Sequence, residues 1–347
     1  MSWSFKILRV AGIDVKIHAT FFLILLFWGW SGYHEGGFPA AAESVVFVLL
    51  LFLCVVLHEF GHSLMARRFG IRTPDITLLP IGGVARLERS PETARQEFLI
   101  SLAGPSVNII IALVLVPFAL DFSDSAQTIF RAEGMHWWAA QMLYANLFLM
   151  VFNLIPAFPM DGGRVFRAGL EMFMPRLRAT TIAARVGQVF AIAFVIVAFL
   201  YFNSIFLALI GIFVFVGAGQ ELRGVRFMET TGRRRVGDVM ITRFDTISQH
   251  LSHEQIVAFA RSHGQSAFPI VDGSMRVTGM VSRDDILNPA SLASSLGIVR
   301  PVPAITPETS AILALQTMQA SGEPILPVVN HSGQIVGMVT AAALTEQ

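Results

Sequence analysis

The chain of 347 residues is 54% hydrophobic and only 14% charged, far below the roughly 25% charged of an average soluble domain, so an ordinary water-soluble globule is excluded. Its 25 basic and 24 acidic side chains leave a formal net charge of +1, which gives no basic field for a nucleic-acid partner. The single cysteine, Cys54, excludes an internal disulfide.

The apolar run that follows residues 1–16 has no small-residue cleavage pattern, so that run is expected to stay in the mature chain. A helix needs roughly 20 apolar residues to span a bilayer. Six stretches approach this: 17–30, 45–66, 98–120, 139–155, 182–202 and 205–217. Only Asn203 and Ser204 separate the last two, which predicts a tight hairpin. Between the second and third, 76–88 reads as two short strands around Gly82-Gly83, a small β-hairpin at the membrane surface.

Basic residues collect after the second stretch (Arg67, Arg68, Arg72, Arg86, Arg89, Arg95), after the fourth (Arg164, Arg167, Arg176, Arg178) and after the sixth (Arg223, Arg226, Arg233 to Arg235). The alternate segments, 34–43 and 121–138, are poor in them, and the latter ends in an interfacial Trp137-Trp138. The positive-inside rule then predicts a multi-pass protein of the cell membrane with both termini cytoplasmic.

From about residue 236 the sequence turns soluble in character and repeats. Ile247-Ser248, Pro269-Ile270-Val271 and Gly279-Met280-Val281-Ser282 recur at one constant offset as Ile305-Thr306, Pro327-Val328-Val329 and Gly337-Met338-Val339-Thr340, which indicates duplication. Each copy reads as helix, short strand, Gly-containing turn (Asp272-Gly273, Ser332-Gly333), second strand and short helix. The expected organisation is a membrane domain over 1–220, a linker over 221–235, and α/β modules over 236–290 and 291–347.

His58-Glu59-Phe60-Gly61-His62 carries the chemistry. Histidines four apart share a helical face and can chelate one Zn²⁺, with the intervening Glu beside the attacking water. A chance run in a core helix is the alternative, but ionisable groups in a span cost about 2.5–3.5 kcal/mol each at mid-bilayer and are rare without a role. A catalytic zinc needs a third protein ligand. Asp161 is the candidate, in Asn153-Leu154-Ile155-Pro156-Ala157-Phe158-Pro159-Met160-Asp161-Gly162-Gly163. There prolines and glycines break the fourth span, on the same membrane side as the histidines; a turn-forming Asp before Gly-Gly is the plainer alternative.

H-E-x-x-H in an early span with N-x-x-P-x-x-P-x-D-G-G in a later one resembles the site-2 protease family of intramembrane zinc metalloproteases, over about residues 1–220. The repeats resemble a tandem pair of cystathionine-β-synthase-type (CBS) modules, and the subgroup with six spans and a C-terminal CBS pair resembles the whole chain. The resemblance implies an α-helical polytopic membrane domain of six transmembrane helices plus a soluble α/β tandem CBS domain. It implies one Zn²⁺ per chain on His58, His62 and Asp161, Glu59 as catalytic base, and a single-span membrane-protein substrate cut within or beside the bilayer. For the CBS pair it implies a homodimer that often takes an adenine nucleotide. Asp285 stands where an acid contacts ribose; the second copy has Ala343 there, so at best one nucleotide site is expected.

The remaining candidates keep two readings each. Asn153 either donates to the tetrahedral oxyanion or caps a helix. Asn108, in an A-G-P-x-x-N context that the family also carries, contacts substrate or glues helices together. Gly82, Gly83, Val84, Ala85 and Arg86 belong either to an edge strand that holds substrate extended by β-augmentation, as a P-x-G-G clamp in the family implies, or to a plain surface hairpin. His18 is a functional suspect or an interfacial packer. Cys54, on the His58 face, reads as an apolar packer rather than a ligand. His136, His250, His253, His263 and His331 read as surface residues. Two rival functions stand beside the protease: a CBS-regulated transporter or ion channel with a metal site, and an inactive membrane scaffold.

Overall fold

Away from water every backbone N–H and C=O must find its partner within the protein, so long apolar runs fold as helices. The computed structural model describes residues 3–119, 135–287 and 300–345. The chain divides into two units, Met1–Arg223 and Gly224–Gln347.

The first unit opens with a hairpin, β1 (Ser4–Val10) and β2 (Ile13–His18), before α1 (Phe21–Arg68). Strands β3 (Asp75–Leu79) and β4 (Gly82–Arg86) follow, then α2 (Ala94–Ala119), α3 (Met135–Asn153), α4 (Asp161–Glu171), α5 (Arg176–Val197) and α6 (Ile205–Gly232). Four helices among the described residues are long and apolar enough to cross a membrane: Phe21–Arg68, Ala94–Ala119, Arg176–Tyr201 and Leu207–Gly232. The expected six is not reached by that measure, although α1 is two helical arms joined at Gly36 and Gly37, where the backbone leaves helical geometry. A π-helical turn, Ala198–Phe202, and a left-handed Asn203 form the tight reversal between α5 and α6.

Two expectations are corrected here. The first span does not begin at Ile17, because Ile13, Val15 and Ile17 alternate with polar residues and form β2 instead. His18 therefore ends a strand, and its Nδ1 lies 2.8 Å from Thr20 Oγ1 in the turn into α1. The surface hairpin of 76–88 is half of a four-stranded sheet, in the order β1-β2-β3-β4 with β2 and β3 parallel. Its turn is Pro80-Ile81, so Gly82 and Gly83 open β4 rather than form the turn.

The second unit holds α7 (Val236–Val239), β5 (Ile247–Ser248), α8 (His253–Ser262), β6 (Ala267–Val271), β7 (Val277–Ser282) and α9 (Arg283–Leu287). The second copy follows as α10 (Ala311–Ser321), β8 (Ile325–Val329), β9 (Ile335–Thr340) and α11 (Ala341–Thr345). In the β6–β7 turn, the Ser274 and Arg276 backbone N–H groups donate to Asp272 at 2.8 and 2.9 Å and hold its carboxyl below the usual range, the Arg276 bond first. The expected linker is helical as far as Gly232, since no proline interrupts it.

The two copies exchange their leading segments. Val236 N–H donates to Thr309 O at 2.9 Å, Gly237 N–H donates to Pro307 O at 2.8 Å, and Val236 sits in the apolar core of the second copy with Leu326, Val328 and Leu344. In return Arg300 bridges to Met280 of the first copy. Val236 and Gly237, which open the first module, thus pack on the second. Residues 120–134 and 288–299 lie outside the described residues, as do the side chains of His136 and His253.

Candidate metal centre

His58, Glu59 and His62 lie in the second arm of α1, and both histidines are buried. Buried imidazoles need hydrogen-bond partners, and each ring finds one. His62 Nδ1 lies 2.7 Å from the Ile100 carbonyl oxygen, which only accepts; Nδ1 therefore carries the proton and Nε2 presents a lone pair. His58 Nδ1 lies 2.6 Å from Asn108 Oδ1.

Asp161 arrives from the other side. Pro156 and Pro159 end α3's run of backbone donors, the chain turns through the buried Ala157 and Phe158, and Asp161 opens α4 after an extended Met160. Its carboxylate is thus in the first turn of a helix, where negative charge is favoured. Asp161 Oδ2 lies 3.0 Å from His58 Nε2 and 3.1 Å from His62 Nε2, and the two Nε2 atoms are 3.1 Å apart.

This donor set fits zinc. With an Nδ1 proton directed away, a neutral ring brings no proton to the centre, so lone pairs crowd around one point that a cation stabilises. Two imidazole nitrogens and a carboxylate oxygen match a catalytic zinc site, with a fourth position open to water or substrate. Helix α2 leaves the room: a Cβ on Gly104 would stand 2.7 Å from His58 Nε2. Among the described residues no other group of three His, Cys, Asp or Glu gathers in this way.

Glu59 is half-buried, and β4 passes directly over it. A Cβ on Gly83 would fall 2.6 Å from Glu59 Cγ and 3.2 Å from Val55 Cγ1, so only glycine lets the strand come this near. Strand β4 is one of the two edge strands of its sheet. Gly82, Gly83, Val84, Ala85 and Arg86 therefore form one continuous strand beside the metal cluster, Arg86 being spent on an ion pair with Asp75 at 3.0 Å.

Asn108 follows the second of its two readings and links helices. It is fully buried, its oxygen faces His58 and its amide nitrogen donates to Asn146 Oδ1 at 2.9 Å, so it touches the metal ligand and α3 rather than substrate. Cys54 stays outside the metal cluster and accepts from Asn146 at 3.3 Å. Asn153 is the half-buried last residue of α3 and makes no side-chain hydrogen bond among the described residues. Asp285 pairs with Arg300 at 3.0 Å. His250 and His331 are exposed, whereas His263 is half-buried and stacks on Phe259 at 4.0 Å.

Two features escaped the sequence reading. Asn146 is one; an amide in the middle of an apolar helix was the available signal. The other is an interior charge group, in which Arg167 of α4 meets Glu97 of α2 and Glu221 of α6, with Arg176 3.5 Å from Glu97. It lines a cavity of about 520 Å³ next to Val84, Ala85 and Arg86.

Fold and site together define a class: a zinc metalloprotease set among membrane-type helices, with a CBS pair appended. Comparison with known proteins agrees. The family model for Peptidase family M50 matches residues 46–132 and 124–196, and that for the CBS domain matches 236–290 and 293–346. A zinc metalloprotease of Methanocaldococcus jannaschii is 35% identical over 282 residues, 80% of this chain and 78% of that protein. Rip3 of Mycobacterium tuberculosis is 29% identical over 96% of this chain and 89% of its own length. The solved site-2 protease from Methanocaldococcus jannaschii is 38% identical over 64% of this chain and 96% of that one, with a TM-score of 0.47. The chain belongs to peptidase family M50, the membrane-embedded site-2 protease family of zinc metalloproteases. The transporter or channel alternative is not favoured.

Proposed function

We propose that the chain is an intramembrane endopeptidase that hydrolyses peptide bonds in the transmembrane segment of a single-span membrane protein. The observation that carries this is the approach of the edge strand β4 to Glu59 at the side of the His58, His62 and Asp161 cluster. A peptide bond in a helix is shielded by its own hydrogen bonds. A substrate added to the free edge of β4 is held extended, with its backbone presented where Glu59 stands.

Zinc, when bound by His58, His62 and Asp161, supplies Lewis acidity that polarises a carbonyl and acidifies a water. Glu59 then takes the proton of the attacking water on its carboxylate and returns it to the leaving amine. Asn153 is placed in this scheme as the donor to the developing oxyanion. Six spans, with both termini in the cytoplasm, complete the topology. The CBS pair forms a homodimer and answers to an adenine nucleotide through Asp285. Calorimetric titration with adenosine phosphates checks that last point, and absence of heat removes it.

The deciding experiment is cleavage of a single-span substrate by the purified full chain in liposomes. Glu59→Gln is expected to keep its zinc and to lose hydrolysis by about 10²–10⁴-fold, the usual contribution of a positioned acid–base group. Undiminished cleavage by that variant overturns the assignment.

A further inference from the structure

His62 is oriented by a backbone carbonyl, which no side-chain substitution can remove. His58 is not: its Nδ1 faces the oxygen of a side-chain amide, and an amide can be turned over. What fixes the direction of that bond lies further out.

Asn108 Nδ2 is 2.9 Å from Asn146 Oδ1, and Asn146 Nδ2 is 2.8 Å from the Met142 carbonyl oxygen and 3.3 Å from Cys54 Sγ. Asn108 and Asn146 are both fully buried, so each of their polar atoms must be satisfied within the protein. The Met142 carbonyl only accepts. Asn146 must therefore turn its NH₂ toward Met142 and its oxygen toward Asn108. Asn108 must then give its NH₂ to Asn146 and its oxygen to His58. His58 can meet that oxygen only with an Nδ1 proton, which leaves the Nε2 lone pair for the metal.

We infer that Asn146 is a positioning residue of the metal centre: through Asn108 it sets the tautomer and ring orientation of His58. The chain of bonds crosses three helices, from α1 through α2 to α3, and α3 is the helix that runs on to the turn bearing Asp161. One polar path thus joins the first ligand to the helix that precedes the third in the chain. The inference rests on the metal site proposed above.

Zinc affinity of the full chain, measured by competition with a chelator, tests it. Loss of an outer partner typically weakens metal binding by about 10–100-fold. Asn108→Leu is expected in that range and Asn146→Leu at about its lower end, while Cys54→Ala stays near wild type because the Met142 carbonyl alone sets the direction. The double variant, Asn108→Leu with Asn146→Leu, is expected to bind zinc no more weakly than Asn108→Leu alone. A role confined to packing would make the two losses add, and additive losses overturn the inference, as does wild-type affinity in Asn146→Leu. Should Asn146→Leu fail to fold, nitrogen NMR of the zinc-loaded wild type decides. An Nδ1 proton and an Nε2–metal bond on His58 are required, and the reverse attachment overturns the inference. A wild type that binds no zinc fails earlier, at the metal site itself, and is told apart by that.

Discussion

The two units bury opposite things. Of the buried polar and charged side chains among the described residues, all but Thr231 lie in the first unit: His58, His62, Asn108, Asn146, Glu97 and Arg167 stand inside while Phe173 and Tyr201 are 89% and 78% exposed. The second unit packs Val236, Leu326, Val328 and Leu344 at its centre and carries its charges outside, as water demands. Each unit is built for its own solvent. In lipid an apolar exterior carries no penalty, so specificity and chemistry are left to a few interior polar groups.

Substitutions that strike each kind of interior would sharpen the contrast. The largest effect is expected from Asp161→Ala, which removes one of three ligands: bound zinc, read by elemental analysis, and hydrolysis should both disappear. Next comes Gly83→Val, whose added atoms would push β4 off Glu59; zinc should remain while the rate falls by ~10²-fold, as a shift of about 1 Å at a reacting group can produce. Arg167→Met leaves the buried Glu97 with only the longer contact to Arg176, 3.5 Å away, and should cost about 3–5 kcal/mol in unfolding of the first unit, with the apolar exterior unable to compensate. Leu326→Ala is the counterpart in the second unit, about 2–5 kcal/mol from a cavity, with zinc content unchanged. If Leu326→Ala stripped the metal, or Arg167→Met left stability untouched, the comparison would break.

The ligand motif was legible because its chemistry is local. His58 and His62 need only a helix to meet, and Asp161 announces itself by the prolines and glycines around it. The partners that orient them were not legible in the same way. Asn146 acts on Asn108 across 38 residues of chain, and Ile100 acts through an atom every residue possesses. Strand β2 was hidden for another reason: Ile17 abuts the apolar run from Phe21, so hydropathy merged a strand end into a helix. The repeat fixed the elements of the CBS pair, but a repeat in sequence says nothing of which copy a segment completes.

That exchange of leading segments makes the pair of repeats indivisible. A truncation after the first repeat would discard the surfaces on which Val236 and Gly237 rest, and expression of the second repeat alone would leave its core open where Val236 belongs. Any shortened form of the protein must keep both repeats or neither.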